Sequence, residues 1–295
     1  MRNQYYYFVT GLPALNIDDN KVQINTSDFL MQAHQHLSAG DFRLLTLLCL
    51  PEDSELLLRI IYGSVNENVT PDECSLTFWQ DYVELMKKKA ADPGVALPKE
   101  YRAYPDIFHA TVLEIFQAEE MPSYLDSQHK LLETVYDYCS SLPNKFLKHW
   151  FELNRDIRNI LTAINGREHN IPFAKYLIGT GDLVSRLAQS HATDFGLGKE
   201  HELFESVYRI WEQNNILYRE RGYDLLRWKW IDSQNFFNYF NIDRILGYYA
   251  QLRILERWQG MEPTLGKEVF HDTMDSLVNS FKFPEQFNVK LIIKK

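Results

Sequence analysis

The chain has 295 residues, of which 45% are hydrophobic and 24% charged, so it can bury a substantial core without a disulfide or a metal ion. Its formal net charge of −9 excludes a globally basic nucleic-acid-binding protein and disfavours anionic lipid as a partner. Only 13 glycines and 11 prolines interrupt the sequence, and we predict an all-α fold.

The first sixty residues carry an aromatic start followed by two sets of helix signals. We expect the first fifteen or so residues to form a strand-like or single-turn segment in which Tyr5, Tyr6 and Tyr7 pack against the protein. Ser38, followed three residues later by Asp41, is typical of a helix start. Pro51 should end this helix, and Gly63 should end the next one.

Proline and glycine divide the middle of the chain. Residues 70–73 combine a capping threonine, a proline and two acids, which predicts the start of a helix that reaches Lys89. Residues 90–105 contain three prolines and a glycine, which indicates a linker or a long crossing loop. Pro143 should open a long helix that Gly166 closes.

The helix expected after Pro143 has one apolar and one polar face. Its apolar residues are Leu147, Trp150, Phe151, Ile157, Ile160, Leu161 and Ile164. Its polar residues are Lys148, Glu152, Arg155, Asp156 and Asn159. We therefore predict that this helix borders solvent.

The last hundred residues are rich in aromatic side chains. Between residues 199 and 240 they alternate with charges at mixed spacing, which indicates two packed surfaces. Residues 242–258 have a clear helical period, and a final helix is expected around residues 269–281. We predict one domain over residues 1–295, with candidate subdivisions near 90–105 and 191–199.

Cysteine usage and hydropathy bear on the compartment. Cys49, Cys74 and Cys139 are an odd number in apolar contexts, which fits buried thiols in a reducing compartment. No stretch approaches the roughly 20 apolar residues of a membrane span, and the start has no apolar region of signal-peptide length. We expect a protein that is neither exported nor membrane-spanning.

No catalytic, cofactor-binding or metal-binding residue can be assigned. His34 and His36 lie two residues apart and so on different helix faces. The glycines of residues 196–199 lack the spacing of a phosphate-binding loop, and Glu200 replaces its Ser or Thr. We interpret this segment as a turn between helices, and residues 179–182 as a helix end followed by a helix start.

Three other clusters have simple structural interpretations. Residues 25–27 and 68–70 match glycosylation sequons but are better interpreted as helix caps. The polar residues around His271, Asp272 and Asp275 fit the solvent face of a helix. The following basic and aromatic residues fit a packed helix with snorkelling arginines: Arg219, Arg221, Arg227, Trp228, Lys229 and Trp230.

Two strings resemble one known family. Residues 151–161, in which an acid precedes Ile-x-Asn and a hydrophobic residue, resemble a helix typical of the C subunit of V-type ATPases, also called the d subunit. Residues 240–249, with Ile-Leu-Gly-Tyr, followed by residues 252–255, resemble the C-terminal helix of that family. The opening residues 5–13 resemble a divergent bacterial branch encoded beside V-type ATPase genes.

The chain departs from the family pattern at two places. Residues 251–256 keep Arg253 but lack the Asn that usually precedes it, and residues 166–168 replace the usual Arg-x-Lys. Both departures concern contact residues more than the fold.

The resemblance implies a funnel-like, all-helical body of three similar lobes. Such a protein is a non-catalytic central-stalk subunit that links the rotor shaft to the membrane ring, for ATP-driven ion transport or ion-driven ATP synthesis. The resemblance also implies shaft and ring subunits as partners, and no cofactor, nucleic acid or direct membrane span. It further implies a cytoplasmic position on the inner face of the cell membrane.

Two alternatives stay open. A helical adaptor with partners unrelated to a rotary ATPase would share the same composition. A helical enzyme acting on an apolar substrate would need a lined cavity, for which Tyr218, Trp228, Trp230 and His201 are the candidates.

Overall fold

A computed structural model describes residues 3–19, 21–64, 73–198 and 201–259, which contain twelve α-helices and no strand. The helices are α1 (Tyr6–Gly11), α2 (Thr26–His36), α3 (Ala39–Leu48), α4 (Leu50–Ile61), α5 (Glu73–Ala91), α6 (Asp106–Gln117), α7 (Tyr124–Ser140), α8 (Lys145–Glu168), α9 (Asp182–Gln189), α10 (Glu202–Trp211), α11 (Ile216–Asn235) and α12 (Ile242–Gln259). The predicted all-α fold is confirmed for these parts of the chain.

Side-chain caps explain why several helices begin where they do. The Ser38 side chain accepts a hydrogen bond from the backbone N–H of Asp41, as the sequence predicts. Asn25 caps α2 through the N–H of Asp28, which confirms residues 25–27 as a cap. The expected caps at residues 68–70 and the start at 70–73 lie outside the described residues.

The first segment agrees with its prediction only in part. Tyr6–Gly11 forms a short helix of under two turns, which fits the single-turn alternative, but Tyr6 and Tyr7 are exposed and not packed. Successive residues of a helix point about 100° apart, so three consecutive tyrosines cannot all face the core. Phe8 is the buried aromatic residue of this helix.

Pro51 and Gly63 act as predicted. Helix α3 ends at Leu48, and Pro51 lies in the first turn of α4. A backbone N–H in the first turn has no acceptor within the helix, so the proline costs no hydrogen bond there. Gly63 follows α4 with a φ of +66°, a conformation that glycine adopts without strain.

The segment at residues 90–105 is a packed crossing loop. It contains a 3-10 turn at Lys99–Ala103, and Tyr101 and Tyr104 are buried in the same core as α5 and α6. Behind it, the Tyr82 hydroxyl lies 2.7 Å from Nδ1 of His109, and Nε2 of His109 lies 3.0 Å from the Tyr101 carbonyl. Burial of His109 lowers the pKa of its imidazole.

Helix α8 corrects two expectations. The helix continues past Gly166 to Glu168. Gly166 is buried against Phe173, and a Cβ at this position would overlap the Phe173 side chain. Asn159, expected on the solvent face, is fully buried. Its amide donates to the Ile178 carbonyl at 2.8 Å and its oxygen accepts from the Ile178 N–H at 2.9 Å, so it fixes the chain after α8.

Helix α12 is the central element of the described structure. It packs against α2, α3, α8 and α11. Twelve of its 18 residues are buried, so it is enclosed on nearly every side rather than on one face. Its predicted helical period is confirmed, whereas the helix expected at residues 269–281 lies outside the described residues.

The described residues form two hydrophobic cores. The larger core draws on α1 to α8, α11 and α12, and the smaller one on the end of α8 with α9, α10 and α11. Helix α11 places Trp228 and Ile231 in the larger core and Tyr223 in the smaller. This confirms the two packed surfaces predicted for residues 199–240, while the division of residues 1–295 into domains stays a prediction.

The cysteines and the hydropathy can be compared with their predictions where the side chains are described. Cys139 is buried and Cys49 half-buried, and both are free thiols. Among the described helices, none has both the length and the apolar character needed to cross a membrane.

Candidate functional site

The described residues that were considered as metal ligands have packing roles. No group of three or more His, Cys, Asp or Glu side chains that could hold a metal ion occurs among the described residues. The rings of His34 and His36 contact Phe42 and Phe8. The cluster at residues 271–275 lies outside the described residues.

The glycine-rich segments agree with their predictions in part. Gly196 and Gly198 have φ values of +67° and +53° in the turn that precedes α10, as predicted. Gly181 is the residue before α9, which confirms the expected helix start, but Gly179 lies in the loop after the 3-10 turn Ala174–Tyr176 and not at a helix end. Lys199 and Glu200 lie outside the described residues.

The structure separates the four residues proposed for an enzyme cavity. Tyr218 is exposed on the first turn of α11, whereas Trp228 is buried ten residues later, about 15 Å along the helix axis. Trp230 packs against Phe146 and Trp150. The ring of His201 caps α10 by accepting from the N–H of Phe204. The predicted cavity therefore does not form from these residues.

The most prominent surface feature is a patch of exposed aromatic side chains. Tyr6 and Tyr7 from α1 and Phe236, Phe237 and Tyr239 from the turn between α11 and α12 are exposed, and we call these five side chains the aromatic patch. Tyr7 and Phe237 are 82% and 81% exposed. The sequence prediction missed this feature, although adjacent aromatics at residues 5–7 and 236–237 cannot all reach one core.

Defined hydrogen bonds hold the two halves of the aromatic patch together. The N–H of Tyr5 donates to the carbonyl of Phe240 at 2.7 Å, and the rings of Tyr6 and Phe240 lie 4.6 Å apart. The Tyr5 hydroxyl also donates to Asp41 at the start of α3. The exposed rings therefore project from a fixed backbone.

The aromatic patch is large enough for a protein interface. Its five side chains expose about 700 Å² if each aromatic residue has about 200 Å² of surface. The largest apolar patch on a typical monomer covers about 300–600 Å², and each side of a standard interface buries about 800 Å². The combined exposed area of these five side chains is thus comparable with one side of a standard interface.

A second exposed apolar cluster lies at the opposite end of α11. Ile216, Leu217 and Tyr218 occupy its first turn and are all exposed. The helix has 20 residues, which corresponds to about 30 Å. One continuous helix therefore separates the two apolar surfaces.

A cleft of about 670 Å³ lies among α4, α8, α11 and α12, and its lining combines apolar side chains with charged residues, several of which pair with each other. Asp224, with 3% of its surface exposed, accepts from Arg227 at 3.3 Å, from Arg257, and from Nε1 of Trp258 at 2.7 Å. Arg253 pairs with Glu52 at 3.3 Å. We interpret these pairs as links between helices.

A half-buried acid of α4, Asp53, lies beside that cleft. Desolvation raises the pKa of Asp53 to about 7, the charge of Glu52 adds to the rise, and Arg253 opposes it. The Tyr104 hydroxyl lies 3.3 Å from its carboxylate. Next to it, desolvation raises the pKa of Cys49 to about 11, so this thiol stays protonated at neutral pH.

The strings that carry the family resemblance lie at the centre of the molecule. Residues 151–161 belong to α8, and residues 242–255 belong to α12, which packs against it. Asn144, the cap of α8, donates to the buried Asp243 of α12 at 2.7 Å. Gly247 lies where Asn235 and Ile231 of α11 come closest to α12. The polar and glycine residues of these strings thus hold helices together.

Comparison with known proteins gives a family match. No curated protein and no solved structure matches the chain. The model of one family, described as "Protein of unknown function (DUF2764)", matches residues 1–281. The chain belongs to the DUF2764 family.

Proposed function

We propose that this chain is a non-catalytic coupling subunit of a V-type ATPase, which links the central rotor shaft to the membrane ring. The resemblance of residues 151–161 and 240–255 to the C subunit of these ATPases is the sequence basis of this proposal. A funnel of three helical lobes, and a cytoplasmic position on the inner face of the cell membrane, belong to the same proposal.

The observation that supports it best is the pair of exposed apolar surfaces at the two ends of α11. A protein that couples shaft to ring must hold two partners at once and must not deform under torque. Helix α11 is packed against α10 and α12, so the distance between its ends is fixed by the surrounding helices. The aromatic patch provides the larger contact and the first turn of α11 the smaller.

The positions of the resembling strings also support the proposal. Their residues lie in the packed centre and carry helix contacts, as Asn159, Asp243 and Gly247 do. A family that is defined by a mechanical body, without an active site, would have its most recognisable residues in such positions.

The test is to tag the full chain in its native cell, solubilise the membranes in mild detergent and identify the co-purifying proteins by mass spectrometry. Catalytic, shaft and ring subunits in fixed proportion are the expected result. Recovery from the soluble fraction without any of them would contradict the proposal and would leave the helical adaptor as the better description.

A variant pair makes the test specific to the aromatic patch. Phe236→Ser with Phe237→Ser should reduce the recovery of the other subunits by about tenfold or more, because buried aromatic anchors carry much of an interface's binding energy. Met121→Ser with Ile171→Ser removes two exposed apolar residues from other loops and should leave recovery unchanged.

A further inference from the structure

A pocket of about 390 Å³ opens beside the first turn of α11. Leu217 and Tyr218 line it from α11, Trp258 lines it from the end of α12, and Asp18 and Asp19 line it from the loop before α2. Tyr218 is 64% exposed and the Asp18 side chain 84% exposed. The pocket thus combines apolar and aromatic walls with two carboxylates at its rim.

The pocket already contacts one cation of the chain itself. Arg221 pairs with Asp18 at 2.9 Å, and its guanidinium carbon lies 5.3 Å from the centre of the Trp258 ring. This combination of carboxylate and indole is a favourable environment for a basic side chain. The described lining of the pocket carries two carboxylates, of Asp18 and Asp19, and one guanidinium, of Arg221, so it keeps a net negative charge.

The walls of the pocket are held in place before any partner binds. Nε1 of Trp258 donates to the buried Asp224 at 2.7 Å, and Arg221 donates to the Ile17 carbonyl at 2.5 Å. The Asp19 carboxylate accepts from the N–H of Asn16 at 2.8 Å. Because these groups are already ordered, binding costs less conformational entropy.

We propose that this pocket binds a basic segment of a partner protein. A Lys or Arg side chain of that segment lies between the rim carboxylates and the Tyr218 ring, and an adjacent apolar side chain contacts Leu217. A second copy of this chain is a poor occupant because each copy carries a net charge of −9. The inference rests on the proposed function only in expecting the partner to be another component of the same complex.

The test uses the full-length chain in its native cell with the photo-crosslinking amino acid p-benzoylphenylalanine in place of Tyr218. After irradiation, the cross-linked peptide is identified by mass spectrometry. We expect a peptide of another protein that contains a Lys or Arg next to an apolar residue.

Charge reversal tests the rim. Asp18→Lys with Asp19→Lys should lower the yield of this cross-link by about tenfold or more, because it replaces attraction by repulsion. Glu119→Lys with Glu120→Lys changes another exposed pair of consecutive acids by the same charge and should leave the yield unchanged. If the lysine variant at the rim melts at a lower temperature than the parent, Asp18→Asn with Asp19→Asn replaces it.

The outcomes separate this inference from the proposed function. A cross-link to a basic segment of a protein outside the V-type ATPase supports the pocket and contradicts the proposed function. A cross-link to residues 260–295 of the same chain, to a second copy or to a segment without Lys or Arg overturns the pocket inference. Unchanged yield in the rim variant also overturns it, even if ATPase subunits still co-purify.

Discussion

Asp224 joins α11 to the end of α12 although almost none of its surface reaches water. Arg227, Arg257 and Trp258 all donate to its carboxylate. An ionised group in such a place is favourable only because several donors replace its hydration. The contact between α11 and the end of α12 therefore depends on the Asp224 carboxylate keeping these donors.

Replacing Asp224 by Asn should destabilise the protein by about 2–3 kcal/mol, because the two arginines lose their shared counter-ion. The cost stays below that of a fully buried pair, since the side chains of Arg227 and Arg257 are 24% and 41% exposed. Urea unfolding followed by circular dichroism measures the change. Glu205→Gln removes the partner of Arg209 on the surface of α10 and should cost less than about 1 kcal/mol. Equal effects of both variants would contradict this account.

Asp53 gives the protein a pH dependence of a definite sign. Its pKa of about 7 lies above the value of about 4 expected for an unfolded chain. Between these values the folded protein keeps a proton that the unfolded chain has released, so the free energy of unfolding falls as the pH rises. The contribution is fully present below about pH 4 and is lost above about pH 7.

Asp53→Asn should remove this dependence. The difference in free energy of unfolding, wild type minus variant, should decrease by about 2 kcal/mol or more between pH 5 and pH 8. Urea titrations of both proteins at the two pH values measure it. Glu119→Gln, an exposed control, should show a constant difference from wild type. A difference that grows with pH for Asp53→Asn would contradict the raised pKa.

Among the helices, the close approach of α11 and α12 depends on a glycine. A Cβ at Gly247 would overlap the amide of Asn235 and lie 2.9 Å from Cγ2 of Ile231. Asn235 and Ile231 are themselves buried, so neither can move aside easily. The Gly of the Ile-Leu-Gly-Tyr string is therefore required by packing.

Gly247→Ala should destabilise the protein by about 2–4 kcal/mol, since overpacking outweighs the better helix propensity of alanine. Gly40→Ala is a matched control, because Gly40 is also helical but has open space around its Cβ position. This control should leave stability unchanged or raise it by about 0.5–1 kcal/mol. Thermal unfolding measures both, and a stabilising Gly247→Ala would show that the two helices are further apart.

Local sequence signals predicted where the helices begin and end, but they did not predict the contacts between helices. Ser38, Pro51 and Gly63 act within one or two turns of the backbone, and the structure confirms all three. Asn159 and Gly166 were assigned wrongly because their partners, Ile178 and Phe173, lie further along the chain. A hydrophobic period shows which face of a helix is apolar, but not which polar residue will find a buried partner.

On the scale of the whole molecule, the surface that we propose for binding could not be predicted from composition. The high aromatic content indicates either a large core or an interface, and the sequence alone does not divide the residues between the two. The structure buries Phe8 and Trp228 and exposes Tyr7 and Phe237. Adjacent aromatics do not decide this division either, because α12 buries the neighbouring Tyr248 and Tyr249 whereas Tyr6 and Tyr7 of α1 are exposed.

The isolated chain should show the consequence of exposing the aromatic patch. We expect it to bind the apolar dye ANS in its native state, because the patch exceeds what monomers usually expose. We also expect it to self-associate as its concentration rises at high salt, where the repulsion between copies of net charge −9 is screened. Phe236→Ser with Phe237→Ser should lower both dye fluorescence and the sedimentation-derived mass.

The same variant should change the free energy of unfolding by less than about 0.5 kcal/mol, since both side chains are exposed in the folded protein. A loss of more than about 1 kcal/mol would show that these rings stabilise the fold instead. Unchanged dye binding would show that the patch is not the main apolar surface of the free protein, and the search for the partner's contact would then move to the first turn of α11.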